Sequence, residues 1–157
     1  MDELKQLENI ITKFTSKKIT IATAESCTGG YISHMLTNVS GASKVFERGI
    51  VCYSNQSKVD LLNVSPKDIE EYGAVSETVA LQLANNIRSL ANTDVGIGIT
   101  GIAGPTGGSK EKPIGLVFIG VSTLEKTIVY KFEFDADRIT FKKLVLKKVI
   151  NLLSEMI

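Results

Sequence analysis

The stretch TAESCTGG, residues 23–30, places a serine and a cysteine where a short apolar segment gives way to two glycines. A strand that ends in a polar turn and leads into a helix leaves the first amides of that helix without internal acceptors. The helix dipole adds about half a positive charge at the same place. Such a junction can hold a phosphate, a carboxylate or a developing oxyanion. The residues that we expect to form it are Cys27, Thr28, Gly29 and Gly30.

This stretch also has simpler explanations. Ser26 or Thr28 could serve only as the N-terminal cap of the helix. The pattern is not a Walker phosphate loop, because no lysine follows the glycines, and it is not the G-x-S-x-G nucleophile elbow, because Thr28 stands where a glycine is needed. Taken alone, the stretch leaves capping, phosphate binding and catalysis open.

Histidine-dependent chemistry is disfavoured by the position of the only histidine. His34 lies eight residues after Ser26, about two turns along a predicted helix, and cannot easily reach back to it. Cys27 at a helix N-terminus could have a lowered pKa, but it lacks a histidine partner for the same reason. Cys52 lies in a predicted strand and is expected to be a small core residue. If acyl transfer occurs here, its base is a lysine, a carboxylate or a tyrosine.

A second polar cluster, CYSNQSK at residues 52–58, follows the next predicted strand. Ligands gather at the carboxyl ends of the strands in open α/β sheets. Tyr53 and Lys58 are five residues apart, and both can face one cleft if a helix begins near Asn55. The alternative is an asparagine cap followed by an exposed lysine.

Two further segments could bind a phosphate. The glycine-rich stretch TGIAGPTGGSKEKPIG, residues 100–115, suits a loop that cradles a nucleotide, and equally a mobile surface lid. Thr100, Gly101 and Gly104 are its candidate ligand-binding residues. Arg138, near the start of the last helix, could donate two parallel hydrogen bonds to a phosphate or pair with a surface carboxylate.

Apolar periodicity predicts the elements that must position these residues. Helical spacing occurs over residues 3–15, from Ile32 to near Gly41, over 76–92 and over 141–156, with short helical turns over 55–72. Strands are predicted over residues 17–24, 45–54, 94–100, 114–122 and 127–134, the last two as a hairpin. Gly96 and Gly98 weaken their strand, so another backbone is expected to approach it closely. This order predicts a single α/β domain over residues 1–157, a three-layer α/β/α sandwich on a mixed β-sheet.

Composition excludes several classes of partner. Charged residues make up 22% of the 157-residue chain and the formal net charge is +1, which predicts neither a nucleic-acid surface nor an anionic membrane partner. No apolar run approaches the ~20 residues of a membrane span. The two cysteines predict no disulfide framework. The acidic, amphipathic N-terminus lacks the features of a signal peptide, so a cytoplasmic protein is expected.

The motifs together resemble one family. AESCTGG, YSNQSK, GAVSETV, GITGIAGPTGGSKEKPIG and DADR occur in the order and approximate spacing of the CinA C-terminal domain family, the nicotinamide-nucleotide amidohydrolases. The resemblance extends from about Leu4 to Leu153. It departs from the family pattern at Ala136, where the family usually has glycine, and at Lys142, where an arginine is common.

The resemblance implies an activity and a site. Members of the family hydrolyse the carboxamide of nicotinamide mononucleotide to nicotinate mononucleotide and ammonia, as part of NAD recycling. It further implies a serine–lysine site without metal or other cofactor, a small nucleotide as substrate, and a homodimer or larger homo-oligomer. The family's serine, tyrosine and lysine match Ser26, Tyr53 and Lys58.

These assignments predict a mechanism. Ser26 is the expected nucleophile, Lys58 the general base, and Tyr53 a group that relays the proton or orients the lysine. Lys58 must be neutral to act, which requires burial or a nearby cation to lower its pKa from about 10.4. The role of Glu25 is left open between positioning the lysine and a local hydrogen bond. The alternatives are a non-catalytic nucleotide-binding or regulatory module and an amidase for another nucleotide or small amide.

Overall fold

The structure is a computed structural model that describes residues 2–157. The helices are α1 (Glu3–Lys17), α2 (Tyr31–Thr37), α3 (Asn55–Leu62), α4 (Pro66–Tyr72), α5 (Glu77–Ala91) and α6 (Arg138–Ser154), with a short 3₁₀ helix at Ala42–Lys44. The strands are β1 (Ile21–Glu25), β2 (Phe46–Val51), β3 (Val95–Gly101), β4 (Leu116–Ser122) and β5 (Thr127–Glu133). The predicted strands and the four predicted longer helices are present. The largest difference is that α2 ends at Thr37, and the short helical turns predicted over residues 55–72 are the two helices α3 and α4.

The five strands form one mixed sheet in the order β2-β1-β3-β4-β5. Strand β1 pairs in parallel with β2 and β3, whereas β4 runs antiparallel to both β3 and β5. The predicted hairpin is therefore confirmed. The three parallel strands end at the same edge of the sheet, and the polar stretches after β1, β2 and β3 are brought together there.

Helices cover both faces of the sheet. On one face α1, α2 and α6 enclose a core that includes Phe14, Ile32 and Phe141. On the other face α3 and α5 enclose a smaller core that includes Leu62 and Leu83. The predicted three-layer α/β/α sandwich is confirmed by these two cores. No helix within residues 2–157 has both the length and the apolar character needed to cross a membrane.

The glycines of β3 admit helix α5 at very short range. A Cβ atom added to Gly98 would lie 2.4 Å from the backbone nitrogen of Ala84 and 2.8 Å from the carbonyl oxygen of Ala80. A Cβ atom added to Gly96 would lie 2.2 Å from the carbonyl oxygen of Ala84. The predicted close approach of another backbone is confirmed, and α5 is the element that makes it.

Replacing Gly98 with alanine should destabilise the protein, because the obstacle is helix backbone that cannot turn aside. We expect the free energy of unfolding to fall by about 1–3 kcal/mol, the usual cost of overpacking a core. Urea denaturation measures the change. Ser89→Ala, on the exposed side of the same helix, is the control and should change stability by less than about 0.5 kcal/mol. A Gly98→Ala protein as stable as the wild type would contradict the close packing.

Candidate active site

A cavity of about 360 Å³ opens where the parallel strands end. It is lined by nine of the residues singled out in the sequence, namely Ser26, Cys27, Tyr53, Asn55, Lys58, Thr100, Gly101, Gly104 and Arg138. The other three candidates, Thr28, Gly29 and Gly30, are not among its lining residues. The structure therefore brings together segments far apart in the chain and leaves most of the Cys27–Gly30 turn outside the cavity wall.

Ser26 and Lys58 meet in this cavity. The Lys58 Nζ atom lies 2.9 Å from the Ser26 Oγ atom, although the residues are 32 positions apart. Lys58 is 1% exposed and Ser26 is 7% exposed. The Ser26 amide donates to the Ile99 carbonyl oxygen at 3.0 Å, which ties the serine to the end of β3. The result is a buried hydroxyl–amine pair on a rigid sheet edge.

The surroundings of Lys58 favour its neutral form. Burial lowers the pKa of the Lys58 amine below its ordinary value. No carboxylate pairs with the Lys58 amine to stabilise its charged form. Among residues 2–157 the one ion pair is that of Arg48 with Glu47, which does not involve Lys58. The amine also lies 2.9 Å from the Cys52 carbonyl oxygen and 3.0 Å from the Tyr53 carbonyl oxygen.

The three contacts of the Lys58 amine can be made in either protonation state. An ammonium group has three N–H donors and no acceptor, whereas a neutral amine has two N–H donors and one lone pair. As an ammonium, Lys58 donates to Ser26 Oγ and to the two carbonyl oxygens. As a neutral amine it can keep both carbonyl oxygens as acceptors and turn its lone pair toward the Ser26 hydroxyl. The arrangement can remove a proton from Ser26 without moving either side chain.

Tyr53 contacts the lysine through its backbone, which fits the second of its two expected roles, orientation of the lysine, and not proton relay. The Tyr53 ring is 60% exposed, and its hydroxyl accepts a hydrogen bond from Arg138 Nη2 at 3.1 Å. It is the Tyr53 carbonyl oxygen that accepts from Lys58. Because a carbonyl oxygen cannot relay a proton, Tyr53 orients the lysine here, and its side chain belongs to the mouth of the cavity.

The start of α3 decides between the two explanations of the CYSNQSK cluster. Ser54 is the helix cap, since its hydroxyl oxygen accepts from the Ser57 amide at 3.0 Å, and Asn55 is the first helical residue. Lys58 is buried. The alternative of an asparagine cap with an exposed lysine is therefore wrong.

Arg138 joins two walls of the cavity. Its Nη1 atom donates to the Gly104 carbonyl oxygen at 2.6 Å, while Nη2 donates to the Tyr53 hydroxyl. Thr100 is 1% exposed and its hydroxyl donates to the Ala74 carbonyl oxygen at 2.8 Å. The guanidinium thus spans the mouth between the glycine-rich loop and Tyr53.

Glu25 caps helix α2, which corrects the expectation that Ser26 or Thr28 does so. The residue before the helix is Gly30, which has no side chain to accept a hydrogen bond. The fully buried Glu25 carboxylate instead accepts from the amides of Ile32 and Ser33, each at 2.9 Å. These first-turn amides are therefore not available to a ligand.

The turn between β1 and α2 retains other amides. Gly29 donates to the Ser26 carbonyl oxygen at 3.1 Å, so its amide is occupied. The amides of Cys27 and Thr28 donate to no other residue within residues 2–157. Since Cys27 lines the cavity beside Ser26, its amide is the best placed of these to stabilise negative charge next to the serine.

Neither cysteine has the character of a nucleophile. Burial raises the pKa of Cys27 to about 12 and the pKa of Cys52 to about 11. Both therefore remain thiols at neutral pH, and the thiolate is the reactive form. Within residues 2–157 no cluster of three or more histidine, cysteine, aspartate or glutamate side chains is arranged to hold a metal ion.

We expect both cysteines of the folded protein to resist alkylation. At pH 8, a thiol with a pKa of about 12 has roughly 10³-fold less thiolate than one with a pKa near 9. Iodoacetamide should modify Cys27 and Cys52 slowly in the native protein and at the ordinary rate in urea, as measured by mass spectrometry. Rapid native modification of Cys27 would show an activated thiol and would reopen it as the nucleophile.

Several lining residues carry no sequence signal of their own. Ala74 and Val75 connect α4 to α5, and Ile102, Ala103, Thr106 and Gly107 belong to the glycine-rich loop. Ala74 and Val75 fall in the GAVSETV motif, which marked the family resemblance without suggesting a contact. Only the path of the chain after α4 brings them to the cavity.

The fold and the site define an α/β protein with a buried serine–lysine pair at the edge of a mixed sheet. The CinA C-terminal domain family model matches residues 4–157. The chain belongs to the CinA C-terminal domain family.

Curated relatives share much of the sequence. A putative competence-damage inducible protein of Thermoanaerobacter pseudethanolicus is 50% identical over 135 residues, covering 85% of this chain and 33% of that protein. One of the same description from Caldicellulosiruptor bescii is 44% identical over 150 residues, covering 96% of this chain and 36% of that protein. The chain spans about a third of the length of these relatives. Their names refer to competence and damage, and they specify no reaction.

Solved structures share the fold. The competence/damage-inducible protein of Agrobacterium tumefaciens aligns with a TM-score of 0.94 at 35% identity, covering 99% of this chain and 96% of that one. A CinA superfamily protein of Escherichia coli aligns with a TM-score of 0.94 at 29% identity, covering 99% and 91%. The α/β architecture is therefore that of the family.

Proposed function

We propose that this chain hydrolyses the carboxamide of nicotinamide mononucleotide, with Ser26 as nucleophile and Lys58 as general base. The observation that carries the proposal is the 2.9 Å contact between the Ser26 hydroxyl and the buried Lys58 amine inside the cavity. An amide is a poor electrophile with a poor leaving group, so its hydrolysis needs an activated nucleophile, charge stabilisation and a proton donor. The site contains a candidate for each.

The reaction starts at the serine. Lys58 takes the proton of the Ser26 hydroxyl as Oγ attacks the carboxamide carbon and the C=O π bond opens to an oxyanion. The Cys27 amide, and the Thr28 amide next to it, stabilise that oxygen. The resulting Lys58 ammonium then donates its proton to the leaving nitrogen, the C–N bond breaks, and ammonia departs from an acyl-serine.

Water completes the turnover. Lys58, neutral again, takes a proton from a water molecule whose oxygen attacks the acyl carbon, and then returns a proton to Ser26 as the ester bond breaks. The product is nicotinate mononucleotide. Lys58 is a neutral amine again at the end of acylation and at the end of deacylation. The proposed steps therefore require no metal or other cofactor.

The charge of the cavity supports an anionic substrate. Its lining residues include two bases, Lys58 and Arg138, and no carboxylate. With Lys58 neutral, Arg138 is the remaining positive charge, and it lies beside the glycine-rich loop through Gly104. A phosphate there would displace the Tyr53 hydroxyl from one guanidinium nitrogen, which places the ribose phosphate at the mouth and the carboxamide near Ser26.

The test is release of ammonia by the purified chain. Nicotinamide mononucleotide is compared with nicotinamide riboside, which has the same amide and ribose and lacks the phosphate. We expect ammonia from the mononucleotide and much less from the riboside. Binding of the mononucleotide without ammonia release would favour a non-catalytic nucleotide-binding module. Equal release from both would contradict the role of phosphate and favour an amidase for another small amide.

A further inference from the structure

Glu25 is a buried carboxylate that the proposed reaction does not use. It is 0% exposed, and no cation pairs with it among residues 2–157. A buried charge of this kind is costly unless hydrogen bonds satisfy it. Four donors do so here, and they divide between the two carboxylate oxygens in an informative way.

The two oxygens hold different parts of the chain. Oε2 accepts from the amide and the hydroxyl of Ser33, at 2.9 and 2.6 Å, and so binds only helix α2. Oε1 accepts from the Ile32 amide at 2.9 Å and from the Thr28 hydroxyl at 2.7 Å. The bond to Thr28 is the only one of the four that reaches the turn between β1 and α2.

The Thr28 bond closes a small ring around the proposed nucleophile. Ser26 and Cys27 are the two residues between Glu25 and Thr28, so a bond between the outer side chains fixes the backbone of the inner pair. Thr28 is 1% exposed, its hydroxyl donates to Glu25, and it is not among the cavity-lining residues. Because the contact predicted for Thr28 is one of its backbone amide, its side chain can bind Glu25 at the same time.

We propose that Glu25 and Thr28 are positioning residues, whose mutual hydrogen bond holds the Ser26–Cys27 turn in the conformation that aligns the serine with Lys58 and directs the Cys27 amide at the oxyanion. The inference rests on the proposed nucleophilic role of Ser26. The Glu25 carboxylate then has two functions. Its Oε2 atom caps α2, and its Oε1 atom also holds the turn through Thr28.

This role acts on the chemical step more than on substrate binding. The groups expected to bind the rest of the substrate, Arg138 and the glycine-rich loop, lie on other segments and are not held by Glu25. Loosening the turn displaces the nucleophile and the oxyanion donor together. A displacement of about 1 Å at a reacting atom can cost about 10²-fold in rate.

Two isosteric deletions separate positioning from stability. Thr28→Val removes the hydrogen bond from Oε1 to the turn, and Ser33→Ala removes the hydroxyl bond from Oε2 to the helix. Each removes one hydroxyl hydrogen bond from the same buried carboxylate. Ser33→Ala also removes the 2.8 Å hydrogen bond between the Ser33 and Thr23 hydroxyls, so its loss of thermal stability should be at least as large as that of Thr28→Val. We expect Thr28→Val to lower kcat by about 10–100-fold with little change in KM. Ser33→Ala should keep kcat near the wild-type value. Thr28→Ser, which retains the hydroxyl, should also have a kcat near the wild-type value.

The outcomes are decisive in both directions. Equal losses of kcat in Thr28→Val and Ser33→Ala would show that the carboxylate acts only through the stability of α2 and would overturn the inference. A Thr28→Val enzyme with wild-type kcat, or a Thr28→Ser enzyme as slow as Thr28→Val, would overturn it as well.

A substrate-independent readout separates this inference from the proposed function. The rate at which a small fluorophosphonate labels Ser26, followed by mass spectrometry, reports the alignment of the serine without reference to any natural amide. A wild type that is labelled but releases no ammonia contradicts the proposed substrate, and the labelling rates of the two variants then decide the positioning role. A wild type that is neither labelled nor active overturns both.

Discussion

Replacing Ser26 with alanine should reduce ammonia release by about 10⁴-fold or more, the usual cost of deleting the nucleophile of an acyl-transfer site. The hydroxyl that Lys58 contacts at 2.9 Å is removed, and no acyl-serine can form. Steady-state release of ammonia from nicotinamide mononucleotide measures the loss. Because the change removes one buried atom, the folded state should persist, and substrate binding by calorimetry should be retained.

The matched control is Ser57→Ala. Ser57 lies next to Lys58 in α3, its hydroxyl donates to the Ser54 carbonyl oxygen, and it is not among the cavity-lining residues. Its turnover should stay near the wild-type value. If Ser26→Ala, folded and able to bind, still released ammonia at the rate of this control, the serine would not be the nucleophile.

Replacing Lys58 should remove the general base. We expect Lys58→Met to lower kcat by about 10²–10⁴-fold, the range that general-base catalysis contributes, with a much smaller change in KM. Lys58→Arg is the sharper variant, because arginine keeps N–H donors at this position but stays protonated in proteins and cannot act as a base. It should be as inactive as Lys58→Met. A kcat near wild type in Lys58→Arg, or an effect of Lys58→Met confined to KM, would contradict the base role.

The pH dependence of the wild type follows from the same residue. Only the neutral amine can accept the Ser26 proton, so kcat should rise with pH as Lys58 loses its proton. Because burial lowers the pKa of Lys58, the midpoint of that rise should lie below the ordinary lysine value of about 10.4. A midpoint at or above that value would show that Lys58 is not the group that titrates.

Much of the fold was predictable because local patterns and tertiary structure agree. The alternation in β5, the helical spacing in α1 and α5, and the Ser76 cap of α5, whose hydroxyl accepts from the Val79 amide, can each be read from short windows. The glycines of β3 were informative for a different reason. They are unfavourable in a strand unless something occupies the space that a side chain would take, and α5 occupies it.

The candidate site was predictable in its membership and less so in its contacts. Polar residues after β1, β2 and β3 meet because parallel strands end at one edge, which the order of elements implies. The burial of Lys58 could not be read from the pattern, since lysine is usually exposed and its acceptors are backbone carbonyl oxygens, which every residue has.

Glu25 shows the same limit. Its carboxylate caps a helix that begins six residues later, and no local rule joins a strand residue to a helix across an intervening turn. Tyr53 and Lys58 are predicted to face one cleft and both line the cavity, but the motif does not show which part of Tyr53 meets the lysine. The path of the chain instead directs the ring outward to Arg138, which comes from the opposite end of the sequence.

The lining of the cavity divides into an N-terminal set of residues, before position 60, and a C-terminal set, after position 73. Ser26, Tyr53 and Lys58 come from residues 26–58, whereas the remaining wall comes from residues 74–75, 100–107 and Arg138. Under the proposed assignments, bond cleavage is encoded in the N-terminal set and most of ligand choice in the C-terminal set. Substitutions among the C-terminal lining residues can therefore change the substrate specificity of such a protein without changing the residues that cleave the bond.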